Sequence, residues 1–487
     1  MKSKIYDNDH RRLARSQSQR RSVSFEASNR FRRSIHLIFW FLIAILALLA
    51  SFYAQLPSRS AMSWVALSVF ALAVFSLSRC THSGFWSPVT LFLIVLGVFH
   101  LGLLANILTG IDPEFPRSSD YIWYDGPIGV YAIFLTTIAI VVYVLFSLSA
   151  LTLMGITKNV PQEDRDLAYY LSNIGAWLLL ASTVAWFLIA IISVGIGGLL
   201  GSYQNFLVAT QATPINLTYI TTGVGLGMTV LAPARRVAVA ALIVFALFAC
   251  LGFFLGLRGE VLFPLAVAVS VLAQRRSMPN VLGAVIGLVS LLAMISLARE
   301  VRVSGLSDSE FNLTEGSPVE ALTELGSTLR VVATVVHWHE AGDPFRLGDT
   351  YTVTLARTLE QVTQGSQRIP AHDDMRLFNV EILNRAGGVG GSLIGEAYHN
   401  FAVIGVIGVM AIVAVLLSYF SRGHATTTSM AVYVIIAVPL FTHIRNSFVP
   451  VIPAVVVGLI FLGIALKIGR NRMARKTKDA AQERLAR

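Results

Sequence analysis

The chain has 487 residues, is 55% hydrophobic and only 13% charged, and has a mean hydropathy of +0.67. Soluble domains carry about 25% charged residues, so this composition excludes an ordinary soluble enzyme and indicates a membrane protein. The net charge of +11 sits largely at the two ends, with ten Lys/Arg in residues 1–34 and eight in 467–487.

The first 34 residues are Ser/Arg-rich, without periodicity, and too long and polar for a signal peptide. They read as a disordered basic tail whose charge holds the first helix end on the cytoplasmic side and touches anionic lipid. A nucleic-acid-binding role for the tails is set aside on the same ground. Beyond the tail, continuous apolar runs near 20 residues indicate helices. Lipid admits only helices or closed barrels, and barrel strands would alternate.

Twelve spans are expected, at about 35–54, 61–78, 88–107, 127–153, 170–194, 216–232, 237–256, 260–274, 281–298, 394–419, 429–443 and 450–467. With the N-terminus inside, the inner gaps contain Arg79, Lys158 and Arg165, Arg235 and Arg236, Arg275 and Arg276, and Arg422. The outer gap 108–126 is acidic and the outer gap 195–215 carries no charge, so the positive-inside bias is consistent along the chain. Both termini are expected in the cytoplasm. The run 237–274 would be about 57 Å long as one helix, nearly twice the hydrocarbon thickness. A hairpin of two short helices fits instead, with its tip at Leu257-Arg258-Gly259-Glu260. The organisation is therefore a tail (1–34), nine spans (35–298), a large extracytoplasmic loop (299–393), three spans (394–467) and a second basic tail (468–487).

The loop carries thirteen Asp/Glu, eight Arg and no Lys. Arginine without lysine suits bidentate binding of phosphate or carboxylate. Leu322, Leu325, Leu329, Val332 and Val336 form one helical stripe. Asp349 or Thr350 is placed to cap a second helix, to about Gln364. Asp373 or Asp374 is placed to start a third, ended by Gly387-Gly388.

Several groups stand out as candidates for chemistry. Arg258 and Glu260 are charges at membrane depth, which are costly and tend to be functional. Arg258 suits a phosphate. The glycines at 387, 388, 390 and 391 precede an apolar span, where exposed N–H groups could form an anion nest. Glu396, His399 and Asn400 then share one face of the next helix's first turns, with Tyr398 as an interfacial anchor. Arg445 lies on the outer side, against the positive-inside trend. His337 and His339 face away from each other on a helix and do not suggest a metal site. His372-Asp373-Asp374 reads as a solvated turn or cap, and Asp112-Pro113-Glu114 as an acidic turn. No nucleotide-binding pattern is present, so this chain does not draw on ATP directly.

Gly256-Leu-Arg258-Gly259-Glu260 resembles the "RG" element of bacterial oligosaccharide repeat-unit polymerases, the Wzy-like O-antigen polymerases. Gly395-Glu396-Ala-Tyr398-His399-Asn400-Phe401-Ala-Val-Ile-Gly405 resembles that family's element after its large outer loop, with Ala402 in place of the usual glycine. The resemblance implies an all-α, GT-C-like membrane glycosyltransferase of the plasma membrane, without cofactor or metal. Its substrates would be glycans on undecaprenyl pyrophosphate, and a flippase and a chain-length regulator would be partners. It implies transfer of a growing chain to an acceptor hydroxyl with loss of the lipid pyrophosphate. Arg258 and Arg445, with Arg330, Arg376 and Arg385 from the loop, would neutralise that leaving group. Glu396 or His399 would serve as the base, with Tyr398 and Asn400 as binding residues. An O-antigen ligase would share this logic with a different acceptor. A flippase or transporter would show two related halves and short outer loops, which this chain lacks.

Overall fold

The computed structural model describes residues 31–49, 56–110, 123–155, 165–199, 203–210, 213–275, 278, 318–363, 369–370, 373–423 and 426–486. The span expected at 281–298, the turn at Asp112-Glu114 and His372 lie outside them. Among the described residues there is helix and no strand.

Among the described residues, eight helices are long and apolar enough to cross a membrane. They are α1 (Phe31–Leu49), α2 (Arg59–Cys80), α3 (Pro88–Leu108, ending in a 3-10 turn), α4 (Pro127–Met154), α5 (Arg165–Gly198), α8 (Arg236–Phe254), α14 (Leu393–Phe420) and α16 (Val451–Ala486). The chain is a multi-pass membrane protein. Between these lie the short α6 (Tyr203–Thr210), the glycine-rich α7 (Ile215–Thr229), α9 (Arg258–Arg275) and the shorter apolar α15 (Thr427–Thr442). The expected hairpin is present: α8 ends at Phe254, Gly256 takes φ +79°, and α9 begins at Arg258. The turn needs a left-handed residue, which glycine supplies without a Cβ penalty.

Two faces of the bundle are fixed by polar contacts. On one, buried Arg33 donates to the carbonyls of Cys80 (2.9 Å) and Leu151 (2.7 Å). The Ser421 hydroxyl takes the Val89 amide at 3.2 Å, and Arg275 reaches the Leu231 carbonyl and the Thr427 hydroxyl. Arginines here meet the C-terminal ends of α2 and α4, where the helix dipole favours positive charge. On the other face, Arg59 pairs with Asp125 at 2.8 Å and the Tyr124 hydroxyl donates to Asn106 at 3.1 Å. Every inner gap named from the sequence that is described falls on the first face, and the loop packs on the second. The basic C-terminal segment is not a separate tail but continues α16 to Ala486. That helix of 36 residues is about 54 Å long. The segment 474–486 is rich in Ala, Lys, Arg, Gln and Glu, all strong helix formers.

The described residues of the loop form four helices: α10 (Pro318–Leu325), α11 (Thr328–Glu340), α12 (Asp349–Thr363) and α13 (Phe378–Ala386). The expected stripe is real but broken after Leu325. A Cβ on Gly326 would lie 1.8 Å from the Leu103 amide nitrogen, so the loop seats its backbone against the end of α3 there. The second helix runs over Asp349–Thr363, so Asp349 is its first residue and not its cap. The third starts at Phe378, not at Asp373 or Asp374. The Asp374 carboxylate is instead bound by Arg357 and Arg376.

Candidate active site

The span expected as one helix over 394–419 is two helices at a sharp bend. Phe401 has φ −140°, ψ 27° and Ala402 has φ 53°, ψ −147°. A Cβ on Gly405 would stand 2.1 Å from the Ala397 carbonyl oxygen. In a straight helix residues eight apart are separated by about 12 Å, so the chain folds back on itself at residues 401–402. Ser392 caps the first piece by accepting the Gly395 amide at 3.0 Å. The loop is tied to the bend by main chain, because the amides of Arg346 and Leu347 donate to the carbonyls of His399 and Asn400, both at 3.0 Å.

Asn400 completes the tie. Its amide nitrogen donates to the Thr350 hydroxyl (2.7 Å) and to the Glu396 carbonyl (2.8 Å), and its oxygen takes the Gly348 amide (2.9 Å). Glu396 is fully buried and accepts three bonds: from Thr350 Oγ1 at 2.8 Å, His443 Nε2 at 3.0 Å and the Phe448 amide at 2.8 Å. It joins α12, α14 and the turn after α15. Its two oxygens are therefore engaged by donors from two other segments of the chain.

His399 is also buried, but its surroundings open towards solvent. Its Nε2 is 2.9 Å from Glu381 Oε2 and its Nδ1 is 3.0 Å from His339 Nε2. Glu381 Oε1 takes Arg346 Nη2 at 2.6 Å and Arg385 Nη1 at 3.1 Å. Both arginine side chains are about one-third exposed, at 35% and 32%, whereas the Glu381 side chain is 1% exposed. Burial alone would raise the Glu381 carboxyl, but hydrogen bonds from His399 and Arg346 outweigh it and hold it near about 2. Aromatic rings frame the group. Trp338 lies 5.8 Å from His399 and Arg385 stacks 3.9 Å above Trp338. Phe345 stacks on His339 at 4.1 Å, and Tyr398 stands edge-on to both Phe345 and Tyr131.

A family model described as the O-antigen polysaccharide polymerase Wzy matches residues 35–477. The chain belongs to this family. A further relative is Protein CapE of Staphylococcus aureus, 26% identical over 196 residues. That match covers 40% of this chain and 42% of CapE, so it spans less than half of either protein. No solved structure matches the chain.

Residue 402, where the resemblance implies glycine, is alanine here. The bend gives the reason for a glycine: a residue there must take a positive φ, a conformation that glycine adopts freely and alanine does not. Glycines 390 and 391 also have a use other than an anion nest. The Gly391 amide donates to the Arg445 carbonyl at 2.8 Å, and a Cβ on Gly391 would meet the Asn446 carbonyl carbon at 2.6 Å. The run lets two backbones touch.

Of the arginines expected at the site, Arg385 joins the His399 group. Arg258 is buried at the hairpin tip and pairs with Glu324 of α10 at 2.8 Å. Arg445 lies 5.7 Å over the Phe99 ring and acts electrostatically on Glu260, so it shares the α9 neighbourhood. Arg330 is half-buried in α11. Arg376 binds Glu360 with two nitrogens (2.7 and 3.0 Å) and Asp374 with two (2.9 and 2.8 Å), a brace within the loop.

Sequence reasoning missed Arg346, Glu381 and His339 as members of the group, and His443 as the partner of Glu396. For Glu381 a signal was available. It sits in the stripe Phe378-Glu381-Ile382, at a position where an amphipathic helix normally buries an apolar residue.

Proposed function

We propose that the protein polymerises lipid-pyrophosphate-linked oligosaccharide repeat units, of the undecaprenyl type, into a surface polysaccharide. The site faces the outer side of the bacterial plasma membrane, and both termini are cytoplasmic. One observation carries the reading. In a member of the O-antigen polymerase family, the broken helix at 393–402 brings His399, Arg346 and Arg385 together around Glu381, at the seam between loop and membrane helices.

The chemistry is a displacement at the anomeric carbon of the donor chain. The acceptor hydroxyl forms the new C–O bond and gives up its proton, for which His399 is assigned as the base, and the bond to the lipid pyrophosphate breaks with its electron pair on the phosphate oxygen. Negative charge therefore grows on the leaving group, and preorganised cations stabilise it more than water would. Arg445 and Arg258, near the hairpin tip, are assigned to the pyrophosphate. Arg346 and Arg385 extend the positive surface towards the loop, and the aromatic frame of Phe345, Tyr398 and Tyr131 is assigned to the sugars. Glu396, already holding three donors, is assigned to positioning instead of proton removal.

The test is Arg445→Ala in a polymerase-null strain, read as the polysaccharide length profile with protein abundance measured alongside. The expected result is single repeat units at unchanged abundance. Wild-type ladders would remove Arg445 from the leaving-group site.

A further inference from the structure

The loop helix α12 is amphipathic in the opposite sense to a helix bathed in water. Arg357 and Glu360 turn towards the rest of the loop: Arg357 is buried against Asp374, and Glu360 is held by Arg376 at 2.7 and 3.0 Å. The other face carries Leu355 and Leu359, four residues apart and so on one stripe, at 55% and 67% exposure. A helix of a soluble loop would bury these leucines and leave its charges in water. The turn leading into α12 repeats the pattern. Leu347 is 77% exposed, and its φ of +49° is a left-handed conformation that a bulky residue rarely takes.

The inner face of α12 sets its depth. Thr354 Oγ1 donates to the Val449 carbonyl at 3.1 Å, and Tyr351 stands edge-on to Phe448 at 5.1 Å. Phe448 and Val449 belong to the turn between α15 and α16, so α12 lies level with the ends of membrane helices. At the start of α12 the apolar surface runs on into a membrane helix. Gly348 packs on Phe401, where a Cβ would stand 3.1 Å from Phe401 Cζ. Phe401 is itself exposed, and Ile404 follows it on the open face of α14.

We propose that α12 is an in-plane interfacial helix, with Leu347, Leu355 and Leu359 inserted among the lipid chains of the leaflet on the loop side. Continuity selects lipid as the occupant of this face, because the leucines extend a surface of α14 that a multi-pass protein already presents to the bilayer. Helices of this kind bind through an apolar face sunk about 5–10 Å into the boundary between headgroups and acyl chains. The consequence for the site is mechanical. Thr350 of α12 donates to Glu396, and the Gly348 amide donates to Asn400, so the start of α12 is joined to the short helix that carries His399. The hold of the bilayer on Leu355 and Leu359 keeps the loop and the bend at one depth. Only this last link rests on the polymerase reading.

The test uses the full chain in lipid nanodiscs, with Cys80→Ala and Cys250→Ala and one nitroxide label at Leu355→Cys or Leu359→Cys. Ile404→Cys on α14 is the lipid reference, and Leu485→Cys, 87% exposed near the end of α16, is the water reference. Collision with oxygen is compared with collision with a water-soluble nickel chelate. Labels at 355 and 359 are expected to match Ile404→Cys, with oxygen favoured several-fold over the chelate. A chelate-favoured label, as at Leu485→Cys, would overturn the proposal. A label immobilised and shielded from both would mean that protein, such as a second copy, covers the face, and would overturn it equally. The second arm is chain extension by Leu355→Glu/Leu359→Glu in a polymerase-null strain, with abundance measured alongside. Extension is expected to fall several-fold at unchanged abundance, and Leu355→Phe/Leu359→Phe, which keeps the face apolar, is expected to extend as the wild type does. If the glutamate variant is lost from membranes, Leu355→Ser/Leu359→Ser takes its place. Wild-type ladders from the polar variant, or loss of extension in the phenylalanine variant, would overturn the link between α12's lipid contact and the site. A wild-type chain that makes no ladder would refute the polymerase reading and leave the label result standing.

Discussion

Glu396 with His443 and Glu381 with His399 are the same pair of residue types in opposite surroundings. Glu396 is enclosed, with three close donors from two other segments, and its histidine lies in the turn after α15. Glu381 is equally buried, but its other partners are two arginines that reach solvent, and its histidine continues to a second, partly open histidine. Side-chain identity does not separate the two. What separates them is whether the network closes on itself or leads outwards. A closed network holds elements together, whereas an open one can move charge and meet a ligand.

The largest effect expected from this contrast is on stability. Glu396→Ala removes one acceptor from three donors and leaves buried His443, Thr350 and the Phe448 amide without it. Each buried donor left unsatisfied costs about 1–3 kcal/mol. The expected outcome is loss of the protein from membranes and a much lower thermal midpoint in detergent. A stable but inactive Glu396→Ala would reverse the assignment and make Glu396 the chemical carboxylate. Glu381→Gln is expected to do the opposite. Abundance and thermal midpoint should change little, with a stability cost of about 1–2 kcal/mol. Chain extension should fall about 100-fold, because Arg346, Arg385 and His399 lose the carboxylate that gathers them. If Glu381→Gln disappears from the membrane as well, the two pairs are alike and the contrast fails.

The smallest effect concerns the hinge behind both pairs, since Glu396 and His399 ride on the short helix that ends at the bend. Ala402 holds φ +53°. An L-residue on the left-handed side costs about 1–2 kcal/mol that glycine avoids. Ala402→Gly should therefore raise the thermal midpoint slightly, by about 1 kcal/mol of stability, without altering chain length. A lower midpoint would mean that the alanine methyl contributes packing that outweighs the strain.

The sequence by itself determined the membrane class, the positions of most apolar helices and the helical hairpin at Arg258, and it picked out the segment Gly395–Gly405. These properties are local: apolar run length, charge flanks and a contiguous motif are readable because the bilayer imposes one length and one polarity rule. It also marked Glu396 and His399 as unusual, but it could not divide their labour. Only the tertiary structure shows their different partners, since His443 lies 47 residues from Glu396, Glu381 lies 18 from His399, and His339 lies 60 from it. The broken helix was hidden for the same reason. Phe401 and Ala402 continue an apolar run that reads as one helix, and the bend is held by loop amides at Arg346 and Leu347 that no local pattern reveals. Whether a buried carboxylate anchors or takes part in chemistry depends on which donors surround it in space.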